Sequence, residues 1–205
     1  PEIFLARGVI IVEGESEFGA IPEFAKNMNI DLDELGLTLI NAGGKGTSKF
    51  IYPILKLFTN CVSIRDKDAD GNGEDEVWIN DENEPYEQTD LLEFEDEIVN
   101  SVDNLSIIKK CLIQCNEEGS YENLIRQYVT ETQSMGSTNQ IISSWESLNL
   151  GPLRANLKAE KIVSTLKKQK NKNSLFWMNF CSDIPENEIP NCYKKIIKKA
   201  RDLVI

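Results

Sequence analysis

Acidic residues stand at the ends of two apolar runs, and this placement indicates metal chemistry. The run "GVIIVE" ends at Glu13, and Glu17 follows about one helical turn later. The run "CVSIRD" ends at Asp66, and Asp68 comes two residues further on. Carboxylates that lie close together repel one another and raise each other's pKa unless cations intervene. Hard divalent cations prefer oxygen ligands, so these acids predict a site for Mg²⁺ or Mn²⁺.

Three short apolar runs must position these acids. Residues 8–14, 37–42 and 61–66 are rich in β-branched or apolar side chains and are predicted to be buried strands. Helical patterns separate them, and this alternation predicts an α/β fold with a parallel sheet flanked by helices. Ligands of such sheets bind beyond the carboxyl ends of the strands, so Glu13 and Asp66 are expected at one edge.

The rest of the chain predicts a second, helical region. Residues 68–90 are polar and glycine-bearing, and a further strand within them is one interpretation. Helical patterns dominate from about Asn104 onward. We therefore expect an α/β core at residues 1–100 and a helical region at residues 101–205 that completes or covers it. Pro22 is expected in a loop or early in a helix, because proline disfavours a helix interior.

Composition removes several classes of site. The 205 residues include no histidine, which excludes Ser-His-Asp and Cys-His catalysis and imidazole zinc sites. The five cysteines are odd in number and irregularly spaced, which predicts reduced thiols in a cytoplasmic protein. Cys111 and Cys115 lack a second ligand pair for zinc, so buried thiols are the favoured interpretation. No apolar run approaches the ~20 residues that span a bilayer.

Charge is divided unevenly along the chain. Residues 1–150 hold 10 Lys/Arg and 29 Asp/Glu, a net charge of −19, whereas residues 151–205 hold 12 and 5, a net charge of +7. The acidic part could bind metals and the basic part a polyanion. Taken alone, the basic runs "KKQKNK" and "KKIIKK" are more typical of solvated helix faces.

A calcium loop is a second interpretation of the acids that follow the third predicted strand. Asp66, Asp68, Asp70 and Gly71 occupy the first, third, fifth and sixth positions of such a loop. Val77 stands at the twelfth position, where a bidentate Glu is required. A strand precedes the loop where a helix is required, so a metal site at the end of a strand is favoured.

The glycine-rich stretch "NAGGKGTSKF" has two interpretations. Gly43, Gly44 and Gly46 would allow close backbone approach at a helix N-terminus, where anions bind well. The stretch lacks the G-x-x-x-x-G-K-[ST] spacing of a phosphate-binding loop. A tight strand-to-helix turn explains it at least as well.

Two of these motifs resemble a known family. The segments "VIIVEGESEFGAIPEFA" and "SIRDKDAD" resemble the first strand and helix, and the D-x-D motif, of a Toprim domain. The longer segment "ARGVIIVEGESEFGAIPEFAKNMNIDLDELGLTLINAGG" is similar to the Toprim domain of OLD (overcoming lysogenization defect) family nucleases. The resemblance covers about residues 5–70. The joined "VEGxSE" and "DELG" context is much more specific than an isolated E…DxD pattern.

The resemblance implies a set of site residues. The implied metal ligands are Glu13, Glu17, Asp66, Asp68 and Glu95. Glu13 is also a possible base, and Glu93 is the alternative to Glu95 in "LLEFEDE". The family also uses a late lysine before a helix, for which Lys172 is the first choice and Lys170 the second.

The implied function is metal-dependent nicking or cleavage of DNA, with a possible role in anti-phage defence. Two Mg²⁺ or Mn²⁺ ions, about 3.5–4 Å apart as in other two-metal sites, would flank the scissile phosphate. Lys172 would stabilise charge on that phosphate. The alternatives are another Toprim activity, such as primase or topoisomerase chemistry, and a non-catalytic calcium-binding module.

The resemblance also implies parts that are absent from this chain. OLD nucleases usually carry an N-terminal ABC-type ATPase domain, but the sequence has no Walker A motif, so ATP would act only through a missing domain. The chain opens on Pro1, which suggests a fragment of a longer protein. The full-length protein is expected to be a cytoplasmic homo-oligomer that binds DNA and no membrane.

Overall fold

A computed structural model describes residues 5–44, 51, 54–67, 86–91, 93–102, 166 and 174–205. Its strands are β1 (Gly8–Val12), β2 (Leu37–Asn41), β3 (Asn60–Arg65) and β4 (Tyr86–Gln88). Its helices are α1 (Glu15–Asn27), α2 (Phe94–Ser101), α3 (Ser174–Cys181) and α4 (Asn191–Asp202), with a short 3-10 helix at Glu186–Glu188. The remaining residues lie outside the described part of the chain.

The four strands form one parallel sheet in the order β2-β1-β3-β4. In this register Val9 lies opposite Thr38 on one side and Cys61 on the other. Arg65, the last residue of β3, pairs with Gln88, the last residue of β4. The carboxyl ends of all four strands therefore lie at one edge of the sheet. The predicted α/β fold with a parallel sheet is confirmed, and β4 lies within the segment where a further strand was one interpretation.

The central strand β1 separates two apolar layers. Its sequence GVIIV is buried at every position. Ile10 and Val12 face the large core formed with the helices, whereas Val9 and Ile11 face a smaller cluster with Ala42. This alternation follows from the two-residue period of a strand. A strand covered on both faces has an uninterrupted apolar sequence, as predicted.

The position of Pro22 in helix α1 differs from the prediction. Pro22 lies inside α1, near its middle, and not in a loop or in the first turn. The helix is held there by packing, because Ile21 and Phe24 are fully buried in the large core. Tertiary packing of an apolar face commonly outweighs local propensity. Gly19 permits close approach, since a Cβ there would lie 2.1 Å from the Ser174 carbonyl oxygen of α3.

Helix α4 packs onto β1, β3 and β4, helix α3 packs onto α1, and both belong to the large core. Trp177 of α3 and Tyr193 of α4 are fully buried beside Phe94 of α2, with ring centroids 5.0 and 5.4 Å from the Phe94 ring. The Arg7 guanidinium donates to the Val204 carbonyl, which ties the chain after α4 to the start of β1. The helices predicted for the C-terminal part of the chain are present in the described residues 174–205, where they share this core; the division of the chain near residue 100 stays a prediction.

Cysteine placement agrees with the sequence. Cys61, Cys181 and Cys192 are free and buried thiols, whereas Cys111 and Cys115 lie outside the described residues. Burial raises the pKa of the Cys181 thiol well above its ordinary value. Over the ranges given above, the structure contains no helix that is both long and apolar enough to cross a lipid bilayer.

Candidate active site

Glu13 and Asp66 meet at the carboxyl edge of the sheet. Each follows the last residue of its strand, β1 for Glu13 and β3 for Asp66, and these two strands are direct neighbours. The Asp66 backbone N–H donates to Glu13 Oε2 over 3.3 Å. This bond holds the Glu13 side chain across the strand ends, toward Asp66. The predicted convergence of these two acids is therefore present in the structure.

Glu17 comes to the same place from the first turn of α1. Its Oε2 accepts a hydrogen bond from the Gly14 N–H over 3.2 Å, which satisfies a backbone donor at the start of the helix. Its pKa is raised from 4.5 to about 8, chiefly by burial and also by the negative charges of Asp66, Glu13 and Glu95. The Gly14 bond opposes this shift only in part. Glu17 therefore carries a proton at neutral pH when no cation is bound.

Glu95, in the first turn of α2, is the fourth acid of the cluster. Its Oε1 accepts a hydrogen bond from the Ser16 hydroxyl of α1 over 3.2 Å. Glu93, the alternative from the sequence, precedes the first residue of α2 and is only half-buried. Of the two acids, it is Glu95 that acts on the pKa of Glu17. The structure thus places Glu95 close enough to Glu17 to raise the pKa of that carboxyl.

We call these four side chains the acidic cluster, and all of them are buried. Their exposed fractions are 6% for Glu13, 4% for Glu17, 1% for Asp66 and 0% for Glu95. Burial of unneutralised carboxylates is costly, because water no longer stabilises their charge. Such a cluster is either partly protonated or neutralised by bound cations, and oxygen-only ligands suit Mg²⁺ and Mn²⁺.

Two residues of this region were not identified from the sequence. Ser16 has no distinguishing pattern, yet its buried hydroxyl joins α1 to Glu95. Tyr193 lies in an ordinary amphipathic helix, yet burial raises its pKa well above the ordinary value and the charges of Glu17 and Asp66 add to that effect. Its ring packs on Phe94, so an aromatic layer lies behind the acids. A sequence pattern cannot indicate such a contact between distant segments.

Several predicted site residues lie outside the described part of the chain: Asp68, Asp70, Lys170 and Lys172. Their roles stay predictions. Across the described ranges alone, no three acidic side chains are already arranged as a cation site.

The glycine stretch after β2 forms a turn whose described N–H groups are used internally. Gly43 and Gly44 have φ angles of 75° and 120°, which favour glycine. The Gly43 N–H donates to Asn41 Oδ1, and the Gly44 N–H donates to the Glu13 carbonyl, each over 2.8 Å. These contacts favour the tight-turn interpretation over an anion site. Gly46 lies outside the described residues.

The segment after Asp66 has the wrong entrance for a calcium loop. Strand β3 ends at Arg65, directly before Asp66, whereas such a loop follows a helix. This strand was predicted, and it stands where a calcium loop requires a helix, so the structure does not support the calcium interpretation. Asp66 is instead the acid that ends a parallel strand beside Glu13.

A parallel sheet with acids at the carboxyl ends of two adjacent strands, and a glutamate on the first helix, is the arrangement predicted for a Toprim domain. Residues 4–68 match the family model described as "Overcoming lysogenization defect protein-like, TOPRIM domain". The family resemblance predicted from the sequence is confirmed. The chain shows no match among curated proteins.

Solved structures extend the similarity to nearly the whole chain. The C-terminal region of the Burkholderia pseudomallei OLD protein is 21% identical, with a TM-score of 0.60 over 98% of this chain and 99% of that one. The corresponding region of the Xanthomonas campestris pv. campestris OLD protein is 21% identical, with a TM-score of 0.58 over 100% and 96%. At this identity the likeness shows the fold. The Toprim match implies an enzyme that acts on nucleic acid, of a domain type that generally binds divalent metals.

Proposed function

We propose that this chain is a Mg²⁺- or Mn²⁺-dependent endonuclease domain that hydrolyses phosphodiester bonds in DNA. The observation that carries the proposal is the acidic cluster, in which four buried carboxylates from β1, α1, β3 and α2 meet at one edge of the sheet. The pKa of Glu17 is raised to about 8 by burial and, to a smaller extent, by the negative charges of the other three acids. A bound divalent cation would relieve that repulsion.

The donor set fits such a cation. Glu13, Glu17, Asp66 and Glu95 offer only carboxylate oxygens, the ligands that Mg²⁺ and Mn²⁺ prefer. Asp68 is proposed as the fifth ligand from the sequence. When bound, two such ions activate a water molecule and stabilise the leaving oxygen in a phosphodiester displacement.

The protein's own groups orient the ligands and control their protons. Backbone N–H groups hold Glu13 and Glu17 in fixed directions, and the Ser16 hydroxyl holds Glu95. Fixed partners of this kind reduce the reorganisation that binding requires. Glu17 must release the proton on its carboxyl group before it can act as a ligand, which couples cation binding to pH. Lys172, with Lys170 as the alternative, is proposed to stabilise charge on the phosphate.

The wider setting is also a proposal. The solved structures that the chain resembles are described as C-terminal regions of OLD proteins. We propose that an N-terminal ABC-type ATPase domain accompanies this chain in the full protein and is the route by which ATP acts. The same proposal includes a cytoplasmic homo-oligomer, a boundary near residue 100 between core and helical region, and a role in anti-phage defence.

Nicking of supercoiled plasmid, with Mg²⁺ or Mn²⁺ against EDTA, tests the activity. Glu13→Ala and Asp66→Ala should each lower the rate by more than ~100-fold, because loss of the outer partners of metal ligands already costs 10–100-fold. Glu95→Gln should do the same, whereas the matched variant Glu93→Gln should retain activity. Nicking that survives Glu13→Ala and Asp66→Ala would refute the proposal.

A further inference from the structure

Helix α4 begins near the acidic cluster and ends at the opposite edge of the sheet. At its carboxyl end, the Leu203 carbonyl accepts a hydrogen bond from Asn60 Nδ2, and Asn60 is the first residue of β3. In its first turn, the Tyr193 ring packs on Phe94, whose neighbour along the chain is Glu95 of the acidic cluster. Helix α4 therefore runs antiparallel to β3, and Tyr193 lies toward the edge where the acids meet.

The Tyr193 side chain is held between the two helices that carry Glu17 and Glu95. Its ring centroid lies 5.7 Å from that of Phe24 in α1 and 5.4 Å from that of Phe94 in α2. Phe24 comes seven residues after Glu17, which is about two helical turns, so both side chains lie on the same face of α1. Aromatic contacts with both helices therefore fix the position of the Tyr193 ring relative to the acids.

The Tyr193 hydroxyl is a buried donor that has no partner among the described residues. The side chain is 0% exposed, and no described side chain or backbone group forms a hydrogen bond with its oxygen. A hydroxyl in this state costs free energy, because it has lost its hydrogen bonds to water. Phenylalanine would fill the same space without that cost, so packing alone does not account for the hydroxyl.

The charges that surround the hydroxyl identify its acceptor. Burial is the main cause of the raised pKa of Tyr193, and the next cause is the charge of Glu17, ahead of that of Asp66. Glu17 is therefore the acid of the cluster that acts most strongly on the hydroxyl. A carboxylate that holds a cation is ionised, and an ionised oxygen accepts a stronger hydrogen bond than a neutral one. A phenol is a donor at neutral pH.

We propose that Tyr193 is a positioning residue of the cation site, whose hydroxyl donates a hydrogen bond to the Glu17 carboxylate when that carboxylate holds a cation. This inference rests on the cation site of the proposed function. The Gly14 N–H already binds one oxygen of Glu17 over 3.2 Å, so the hydroxyl would be a second fixed partner. Outer hydrogen bonds of this kind orient a ligand and raise the affinity for the cation. The cost of the unpaired hydroxyl then falls only on the form without a cation.

The test compares Tyr193→Phe with the unaltered chain in two measurements. Calorimetric titration with Mn²⁺ should give a Kd about 10–100-fold higher in the variant, as for the loss of other outer partners of metal ligands. The melting temperature in EDTA should rise, because the variant removes only a buried oxygen that has no partner among the described residues. A purely structural role of the hydroxyl would instead lower the melting temperature.

Cys192→Ala is the matched control, since it also removes a buried polar group from the first turn of α4. Cys192 is next to Tyr193 along the chain, but the charges near its thiol are those of Glu97 and Asp90, outside the acidic cluster. This variant should keep the Mn²⁺ Kd of the unaltered chain even if its melting temperature is lower. The control thus separates a specific effect of the hydroxyl from a general loosening of α4.

Three results would each overturn the inference: an unchanged Mn²⁺ Kd in Tyr193→Phe, a fall in its melting temperature in EDTA, or an equal loss of affinity in Cys192→Ala. Failure of the inference is distinct from failure of the proposed function. If the unaltered chain does not bind Mn²⁺, the proposed cation site and the inference fall together. If it binds Mn²⁺ and Tyr193→Phe binds it equally well, only the inference falls.

Discussion

Glu17→Gln should make the chain more stable at alkaline pH in the absence of divalent cations. Glutamine keeps an oxygen that accepts the Gly14 N–H, now bound to Glu17 Oε2 over 3.2 Å, and it removes the charge. Glu17 is 4% exposed and faces three other acids, so its ionisation destabilises the folded chain. The substitution isolates that one electrostatic effect, because the side chain keeps its size.

The sign and size follow from the pKa. Below pH 4.5 both folded and unfolded chains carry a proton on Glu17, so ionisation has no effect on stability. Between pH 4.5 and about 8 only the folded chain keeps the proton, and the free energy of unfolding falls as pH rises. At ~1.4 kcal/mol for each pKa unit, the full loss approaches about 5 kcal/mol above pH 8. The variant should therefore gain up to that amount over the unaltered chain.

Urea unfolding in EDTA at several pH values measures this difference. Near pH 5 the two proteins should agree to within about 1 kcal/mol, and the gap should widen up to about pH 8 and then level off. Mg²⁺ or Mn²⁺ at alkaline pH should narrow it, since a ligand that binds the folded state stabilises it. Glu34→Gln, which removes an exposed carboxylate, is the matched control and should show no such trend. A pH-independent gap would refute the reasoning.

Two further predictions concern packing. Gly19→Ala places a Cβ 2.1 Å from the Ser174 carbonyl oxygen and should lower the free energy of unfolding by ~1–3 kcal/mol in the same urea assay. The control is Gly14→Ala, whose Cβ would meet only a side-chain oxygen at 3.5 Å. This variant should lose less than about 1 kcal/mol. The Tyr193 hydroxyl is buried, and no described residue forms a hydrogen bond with it, so Tyr193→Phe should raise the free energy of unfolding by ~1–3 kcal/mol. A loss of stability in Tyr193→Phe would show instead that the hydroxyl has a partner.

Much of this fold can be predicted from the local sequence, because a strand buried on both faces has an uninterrupted run of apolar residues. The run GVIIV of β1 is apolar throughout because both faces of the sheet are covered. The position of Glu13 and Asp66 at one edge then follows from parallel pairing alone. The position of Pro22 was predicted wrongly because the prediction used only the tendency of proline to avoid helix interiors. Burial of Ile21 and Phe24 in the large core holds the helix in spite of that tendency.

The remaining features of the site depend on contacts between distant segments. Spacing within "LLEFEDE" does not distinguish Glu93 from Glu95, and it gives no sign that Glu95 would bind the Ser16 hydroxyl 79 positions away. Tyr193 reaches the region of the acids only because α4 packs across Phe24 and Phe94. Such contacts are set by how helices pack, and a single sequence shows no pattern for them.

The aromatic layer and the acidic cluster depend on one another. Phe94 directly precedes Glu95, and its ring packs on Trp177 and Tyr193, so the packing that stabilises α2 also excludes water behind Glu95. Exclusion of water is the largest cause of the raised pKa of Glu17. The apolar core beneath the acids therefore has two opposite effects. Its packing stabilises the fold against the repulsion among the acids, and its exclusion of water makes that repulsion stronger. A cation at the edge of the sheet would remove that conflict, which is why stability, cation binding and pH should vary together in this domain.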